Sequence, residues 1–249
     1  MARINLSWCF PDLSNSQRET LVKRNARSMG AMVLELPRAW WGNADDLLSR
    51  CRVDGIEHLE AARADNVGVL LVSVHFTTMD MAGRLLGLHV PRAAGLYRPH
   101  KNAAVEYVLH RARTRELERI IPKRDIRGAI EFLRSGGVLW YAPDQDYKGV
   151  DTEFVSFFDV ATSTITSTQK LARAGRAKVV TYWLERLDDD AGYVMHFGPA
   201  LEDFPTGNRL VDTQHVSNAV EHMIRQWPDH YLWIHQRFKT RPDGQPSPY

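Results

Sequence analysis

The clearest apolar run in the chain is "VGVLLVSV" (67–74), bounded by polar turns on both sides. A continuous β-branched and leucine stretch of that length predicts a strand buried on both faces. "VLWYAPDQD" (138–146) predicts a second buried strand that ends in a polar cluster. "AAGLY" (93–97), "AKVVTYWLE" (177–185) and "GYVMHFGPAL" (192–201) predict three more strands. Apolar residues recur at helical spacing between them, in "MDMAGRLLGLH" (79–89), "AAVEYVLHRARTREL" (103–117), "DIRGAIEFLRSGG" (125–137) and "TSTQKLARAGR" (166–176). The third of these closes on glycine, a helix-end signal. Upstream, "FPDLSNSQRE" (10–19) reads as a turn and a capped helix start, with the helix running to about Leu36, before Pro37. "NADDLLSRC" and "GIEHLEAARAD" predict two short helices, and residues 211–238 one long helix interrupted near Pro228.

Strands alternating with helices predict an α/β fold: a single domain, 1–249, with a mainly parallel central sheet flanked by helices. A helical segment over about 1–65 precedes an α/β core over about 66–249. Right-handed crossovers set the strand carboxyl ends on one side, where open α/β sheets bind ligands. Two polar clusters fall at predicted strand ends, His75 to Asp80 and Asp144 to Tyr147.

Composition changes this picture little. The chain has 249 residues, a net charge of +2, and two cysteines, Cys9 and Cys51, without metal-binding or redox spacing. That usage fits a reducing compartment. No signal-peptide h-region and no membrane-spanning apolar run is present. The N-terminal third carries much apolar bulk, including Trp8, Phe10, Trp40 and Trp41, suited to a core or to a lipid surface.

"SVHFTTMD" (73–80) carries the first candidate chemistry. Histidine moves protons near neutral pH, and a carboxylate can orient its ring. Five residues apart, His75 and Asp80 cannot share one face of a regular helix. They can meet if His75 sits at the strand exit and Asp80 in the first helical turn. The competing reading is structural: Thr77 and Asp80 have the spacing of a capping box. No nucleophile elbow, P-loop, dinucleotide fingerprint or zinc motif accompanies them. An enzyme built on these residues activates a substrate hydroxyl with a base, without a metal or cofactor.

Residues 98–127 hold nine lysines and arginines against four acidic residues. Such a field draws anions, and arginine suits phosphate and carboxylate. No aromatic interleaving or nucleic-acid module is present, so nucleic acid is not an expected partner.

With these residues in view, the chain resembles the late lipid A acyltransferases, the lauroyl/myristoyl type. The resemblance rests on "INLSWCFPDLS" (4–14), "HFTTMD" (75–80), "GLYRPHKN" (95–102), "VLWYAPDQDY" (138–147), "FFDVATSTIT" (157–166), "LARAGRAKVV" (171–180) and "YLWIHQRFKTRP" (231–242), in the family's order. It implies a glycerolipid-acyltransferase-like fold and transfer of a fatty acyl chain from acyl carrier protein to a hydroxyl. That hydroxyl belongs to a 3-hydroxyacyl chain on a Kdo-bearing lipid A precursor. His75 matches the family's base and Asp80 its orienting acid. Arg113 matches the arginine after the "YRP" block and Asp144 the acid of the "APD-x-D" block, both expected at the substrate. Arg98, Asn102 and Asp146 fall in the same blocks as further substrate-binding candidates. The acidic carrier protein suits exposed cations, for which Arg237, Lys239 and Arg241 are candidates.

Members of this family usually begin with a membrane-spanning segment upstream of the "INL…CFP" block, which here starts at residue 4. The resemblance then implies peripheral attachment to an anionic membrane surface, at the cytoplasmic face of the bacterial inner membrane. An acyltransferase with another glycolipid acceptor, or a non-catalytic lipid-binding protein on the same fold, remains open at this point.

Overall fold

The computed structural model describes residues 1–249. Its centre is β2 (Val69–Val72), every residue of which is fully buried. On one side β2 pairs in parallel with β5 (Val138–Tyr141), which continues to β3 (Ala93–Tyr97) and β4 (Arg119–Pro122), all parallel. On the other it pairs in parallel with β8 (Lys178–Arg186). Beyond that, β9 (Tyr193–Ala200) returns antiparallel and carries β1 (Cys51–Asp54) parallel to itself. The seven-stranded order is β1-β9-β8-β2-β5-β3-β4. The mainly parallel sheet expected from the apolar runs is therefore present.

The alternation of strand side chains sends one hydrophobic set to each face of the sheet. Leu70, Val72, Leu139 and Val179 meet α1 (Ala2–Cys9), α7 (Ile126–Arg134), α8 (Ser167–Gly175) and α9 (Arg209–Gln226) in one cluster. Val69, Leu71, Val138 and Val180 meet α3 (Ala44–Ser49), α4 (Ile56–Ala62) and α5 (Met79–His89) in the other. The 27-residue helix α2 (Asn15–Trp41) joins the two layers, giving Leu21 to the first cluster and Ala39 to the second. Ser14 starts it with a full capping box, as its sequence predicts.

Several expectations fail, each for a local reason. The helical segment of about 1–65 also supplies β1, a four-residue edge strand too short for a period-2 signal. Strand β4 is likewise four residues long. α2 continues past Pro37, which lies inside the helix at its exposed C-terminal end. A hairpin, β6 (Thr152–Phe157) and β7 (Val160–Ile165), stands outside the main sheet. Its turn residues Phe158 and Asp159 take φ of 51° and 60°, a two-residue turn ordinarily marked by Asn and Gly, so no turn signal shows. The long C-terminal helix stops at Gln226, since the residue before Pro228 is held out of the helical region. The remaining chain crosses the carboxyl edge of the sheet without helix.

Candidate active site

Register builds the centre of the site. Val72 and Tyr141 are paired across the parallel strands β2 and β5. Counting three residues beyond each brings His75 and Asp144 to neighbouring positions above the sheet edge. His75 Nδ1 lies 2.6 Å from Asp144 Oδ1, and the His75 backbone N–H donates to Oδ2 at 3.1 Å. The Asp144 side chain is wholly buried, whereas the His75 side chain is 21% exposed. Nδ1 donates its proton to the carboxylate, which leaves Nε2 as the basic nitrogen, and Nε2 has no hydrogen-bond partner in the protein.

The crossing C-terminal segment fixes the backbone here. Thr77 N–H donates to His230 C=O at 2.7 Å, Leu232 N–H donates to His75 C=O at 3.0 Å, and Phe76 and Tyr231 form an antiparallel bridge. The Tyr231 hydroxyl donates to the Asp144 backbone carbonyl at 3.3 Å.

Asp80 has a different partner from the one its spacing suggests. It does sit in the first turn of α5, with His75 at the strand exit. Its Oδ1 accepts from Arg113 Nε at 3.2 Å and Nη2 at 3.1 Å, and from Trp40 Nε1 at 3.2 Å. The histidine's ring partner is instead Asp144, because the β2–β5 register puts that carboxylate at Nδ1 first. The capping-box alternative is absent too: Thr78 is the N-cap without a side-chain bond, and Thr77 Oγ1 pairs with Ser28 Oγ at 2.7 Å. Asp80 thus anchors Arg113, at the C-terminus of α6 (Ala103–Arg113), and Trp40, near the end of α2.

His75, Asp80 and Arg113 all face one cavity of about 570 Å³. It wraps the carboxyl edge of the sheet. On the α5 side Gly83, Trp140, Leu117 and Ile120 line it; on the α8 side Leu96, Ile165 and Leu171 do. A methyl group at Gly83 would stand 3.1 Å from the Trp140 ring, so glycine there leaves room for the indole. An alkyl chain in such walls gains ~0.8 kcal/mol per methylene buried.

Arg98 is exposed and lines the cavity mouth. Asn102 does not reach it: its Oδ1 caps α6, accepting from Ala104 and Val105 N–H at 3.0 and 3.2 Å. Asn102→Ala is therefore expected to lower stability by ~0.5–2 kcal/mol, read by thermal unfolding, while Asn102→Asp retains the cap. Asp146 also turns from the cavity, holding Thr240 N–H at 3.1 Å and Thr240 Oγ1 at 2.9 Å. Both motif positions serve the scaffold in this geometry.

Arg237 is not an exposed cation. It is 2% exposed and donates to the carbonyls of Gln145 at 3.2 Å and Ser163 at 2.7 Å, and to Thr164 Oγ1 at 2.7 Å. Arg241 is engaged with Ala161 C=O at 2.6 Å and lies over the Trp8 ring; Lys239 alone of the three is exposed and free of these ties. Trp40, Tyr231 and Arg237 were not legible as site-building residues. Only "YLWIHQRF" as a block marked the last two.

Electrostatics set the working range of the dyad. Burial lowers the pKa of His75, but the charge of Asp144 and its hydrogen bond outweigh this and raise it above the ordinary value. Burial raises Asp144, and His75 with its two hydrogen bonds outweighs that, so the carboxyl is held below its usual range. For stability, the His75 contribution is complete below the unfolded histidine pKa and lost as pH rises through the raised folded value. The Asp144 contribution is present above the unfolded carboxyl pKa and lost as pH falls through the depressed one. A general base at Nε2 would have to be unprotonated, so in that role the acid limb of the rate profile is expected above the free-histidine value near 6.5. A pH–rate profile of kcat/KM with a limb below that value would contradict the pairing.

The family comparison and the curated relatives agree on one family. Residues 1–240 match the family described as bacterial lipid A biosynthesis acyltransferase. The lipid A biosynthesis palmitoleoyltransferase of Escherichia coli (strain K12) is 36% identical over 250 residues, covering 100% of this chain and 81% of that protein. The lipid A biosynthesis lauroyltransferase of the same organism is 34% identical, covering 98% and 80%. Among solved structures, the 1-acyl-sn-glycerophosphate acyltransferase of Thermotoga maritima aligns at a TM-score of 0.45 with 14% identity, covering 90% of this chain and 87% of that one. No helix of the chain is long and apolar enough to cross a membrane. Extending over nearly the whole chain, and with the curated relatives above 30% identity, these matches place the chain in the bacterial lipid A biosynthesis acyltransferase family.

Proposed function

We propose that this lipid A acyltransferase moves a fatty acyl chain from acyl carrier protein to the hydroxyl of a 3-hydroxyacyl chain on a Kdo-bearing lipid A precursor, working at the cytoplasmic face of the inner membrane. The observation that carries the mechanism is the His75–Asp144 pair, with a free Nε2 opening on an apolar cavity. His75 Nε2 takes the acceptor hydroxyl proton while that oxygen attacks the thioester carbonyl. The tetrahedral intermediate collapses to the new ester, and the thiolate leaves with the proton held by the imidazolium. Asp144 keeps Nδ1 protonated and stabilises the charged ring. Asp80 acts at one remove, holding the Arg113 guanidinium by Nε and Nη2 so that Nη1 is left for an oxygen of the substrate or the developing oxyanion. Arg98 adds charge at the mouth for phosphate or carboxylate.

The test is incubation of purified protein with lauroyl-acyl carrier protein and Kdo-bearing lipid IVA, followed by mass spectrometry of the lipid. A lauroyl mass gain with the wild type and none with His75→Ala is expected. Gain with both proteins would remove His75 from the chemistry. Gain with neither, across acyl donors, would reject this donor and acceptor.

A further inference from the structure

The outer faces of α2 and α6 carry apolar side chains that no part of the fold covers. Val33, Leu34 and Trp41 project from the last turns of α2, with Leu34 82% and Trp41 61% exposed. Val105, Tyr107 and Val108 project from α6, with Tyr107 64% exposed. Their placement is not scattered. α2 and α6 touch, and Trp40 and Arg113, from the ends of these two helices, both line the cavity and meet at Asp80. The two helices that carry these faces therefore both border the cavity.

Charge follows the same border. Of the nine cations in 98–127, Arg113, Arg115, Arg119 and Arg127 are in ion pairs. Arg98, Lys101, Arg111, Lys123 and Arg124 are in none. Arg98, Lys123 and Arg124 line the cavity, and Arg111 lies on α6.

We propose that this face, the outer stripe of α2 with α6 and the unpaired cations beside them, seats on an anionic lipid surface with the cavity mouth toward the bilayer. The inference rests on the lipid-substrate reading above and says which side of the molecule meets that substrate's membrane. A helix with Trp and Leu on one stripe and cations alongside is suited to lie in an interface. Alkyl chains then pass from bilayer to cavity along Trp40 and Ala112 without crossing water. An acidic protein partner would satisfy the five cations but leave Leu34 and Trp41 in water, so the bilayer is the better match. Trp8 and Phe10 are not part of this face: both pack against the hydrophobic cluster on the other side of the sheet.

The test is sedimentation of the purified full chain with vesicles of phosphatidylcholine, with and without phosphatidylglycerol. Wild type is expected to bind the anionic vesicles and to lose affinity in high salt or without phosphatidylglycerol, about fivefold for each cation at the surface. Leu34→Glu and Val108→Glu should each lower binding about tenfold or more. Val150→Glu, an exposed apolar site on neither helix, should not. Because all three sites are exposed, unchanged thermal unfolding should accompany each variant. The proposal is overturned if wild type does not bind anionic vesicles, if Leu34→Glu and Val108→Glu bind like wild type, or if Val150→Glu loses as much. It is also overturned if Leu34→Glu loses acyl carrier protein binding while keeping vesicle binding, which would assign the face to that protein. Acyl transfer in detergent separates the two readings. Transfer without vesicle binding rejects this surface and leaves the reaction standing; vesicle binding without transfer does the reverse.

Discussion

Replacing Asp144 by asparagine is expected to slow acyl transfer by about 10³–10⁴-fold with the fold retained. The carboxylate makes two bonds to one residue, to the His75 ring and to its backbone N–H. Asparagine can keep the second with its carbonyl oxygen, but its amide end then offers donors to Nδ1. That favours the tautomer with the proton on Nε2, the nitrogen proposed to accept the acceptor hydroxyl's proton. The remaining activity should also show its acid limb at lower pH, because the charge that raises His75 is gone. Asp80→Asn makes a useful contrast. It weakens the hold on Arg113 and leaves the His75–Asp144 bond intact, so its residual rate should keep the wild-type limb. Full activity in Asp144→Asn, or an unmoved limb, would remove Asp144 from its role.

The second large effect is on stability. Arg237→Ala is expected to cost about 3–5 kcal/mol, through loss of bonds from a charged donor that contribute about 1.5–3 kcal/mol each. The guanidinium joins Gln145, next to Asp144, to Ser163 and Thr164 on the β6–β7 hairpin, and packs on the Phe157 ring. Burial lowers its pKa, with Tyr231, Asp144 and Asp146 opposing that shift. Lysine should restore only part of the loss, since a point charge cannot address three acceptors in the guanidinium plane. Calorimetry should show a fall in Tm of roughly 10 °C or more in Arg237→Ala. A loss below about 1 kcal/mol would mean that the hairpin is held without it.

How much of this was legible depended on the range of the signal. The buried strands at 69–72 and 138–141 follow from their apolar runs, and the site at their carboxyl ends follows from fold class. The strand exit at His75 and the helix start before Asp80 were legible as well. The pairing was not. His75 and Asp144 are 69 positions apart, and only strand order and register bring them together. Local spacing only permitted Asp80 as the partner, and the family resemblance favoured it; its oxygen is taken by a guanidinium from another helix. Arg237 illustrates the opposite error. A basic cluster near the end of the chain reads as solvated surface, yet its first arginine is deep in the fold, where carbonyl groups of the hairpin and the Asp144 loop need donors. The cationic excess over 98–127 was legible only as a total. Which cations are spent on neighbouring carboxylates needed the folded geometry.

The strap over residues 230–232 has a consequence for synthesis. His75 C=O and Thr77 N–H have their partners only in those residues, and the Asp144 loop is tied to Tyr231, Arg237 and Thr240. A ribosome that has released the whole sheet, through Ala200, has still not delivered the residues that hold the backbone at His75. The nascent chain can thus pair its central strands before it has a positioned histidine. The backbone around the dyad is fixed by residues that emerge after the sheet is complete.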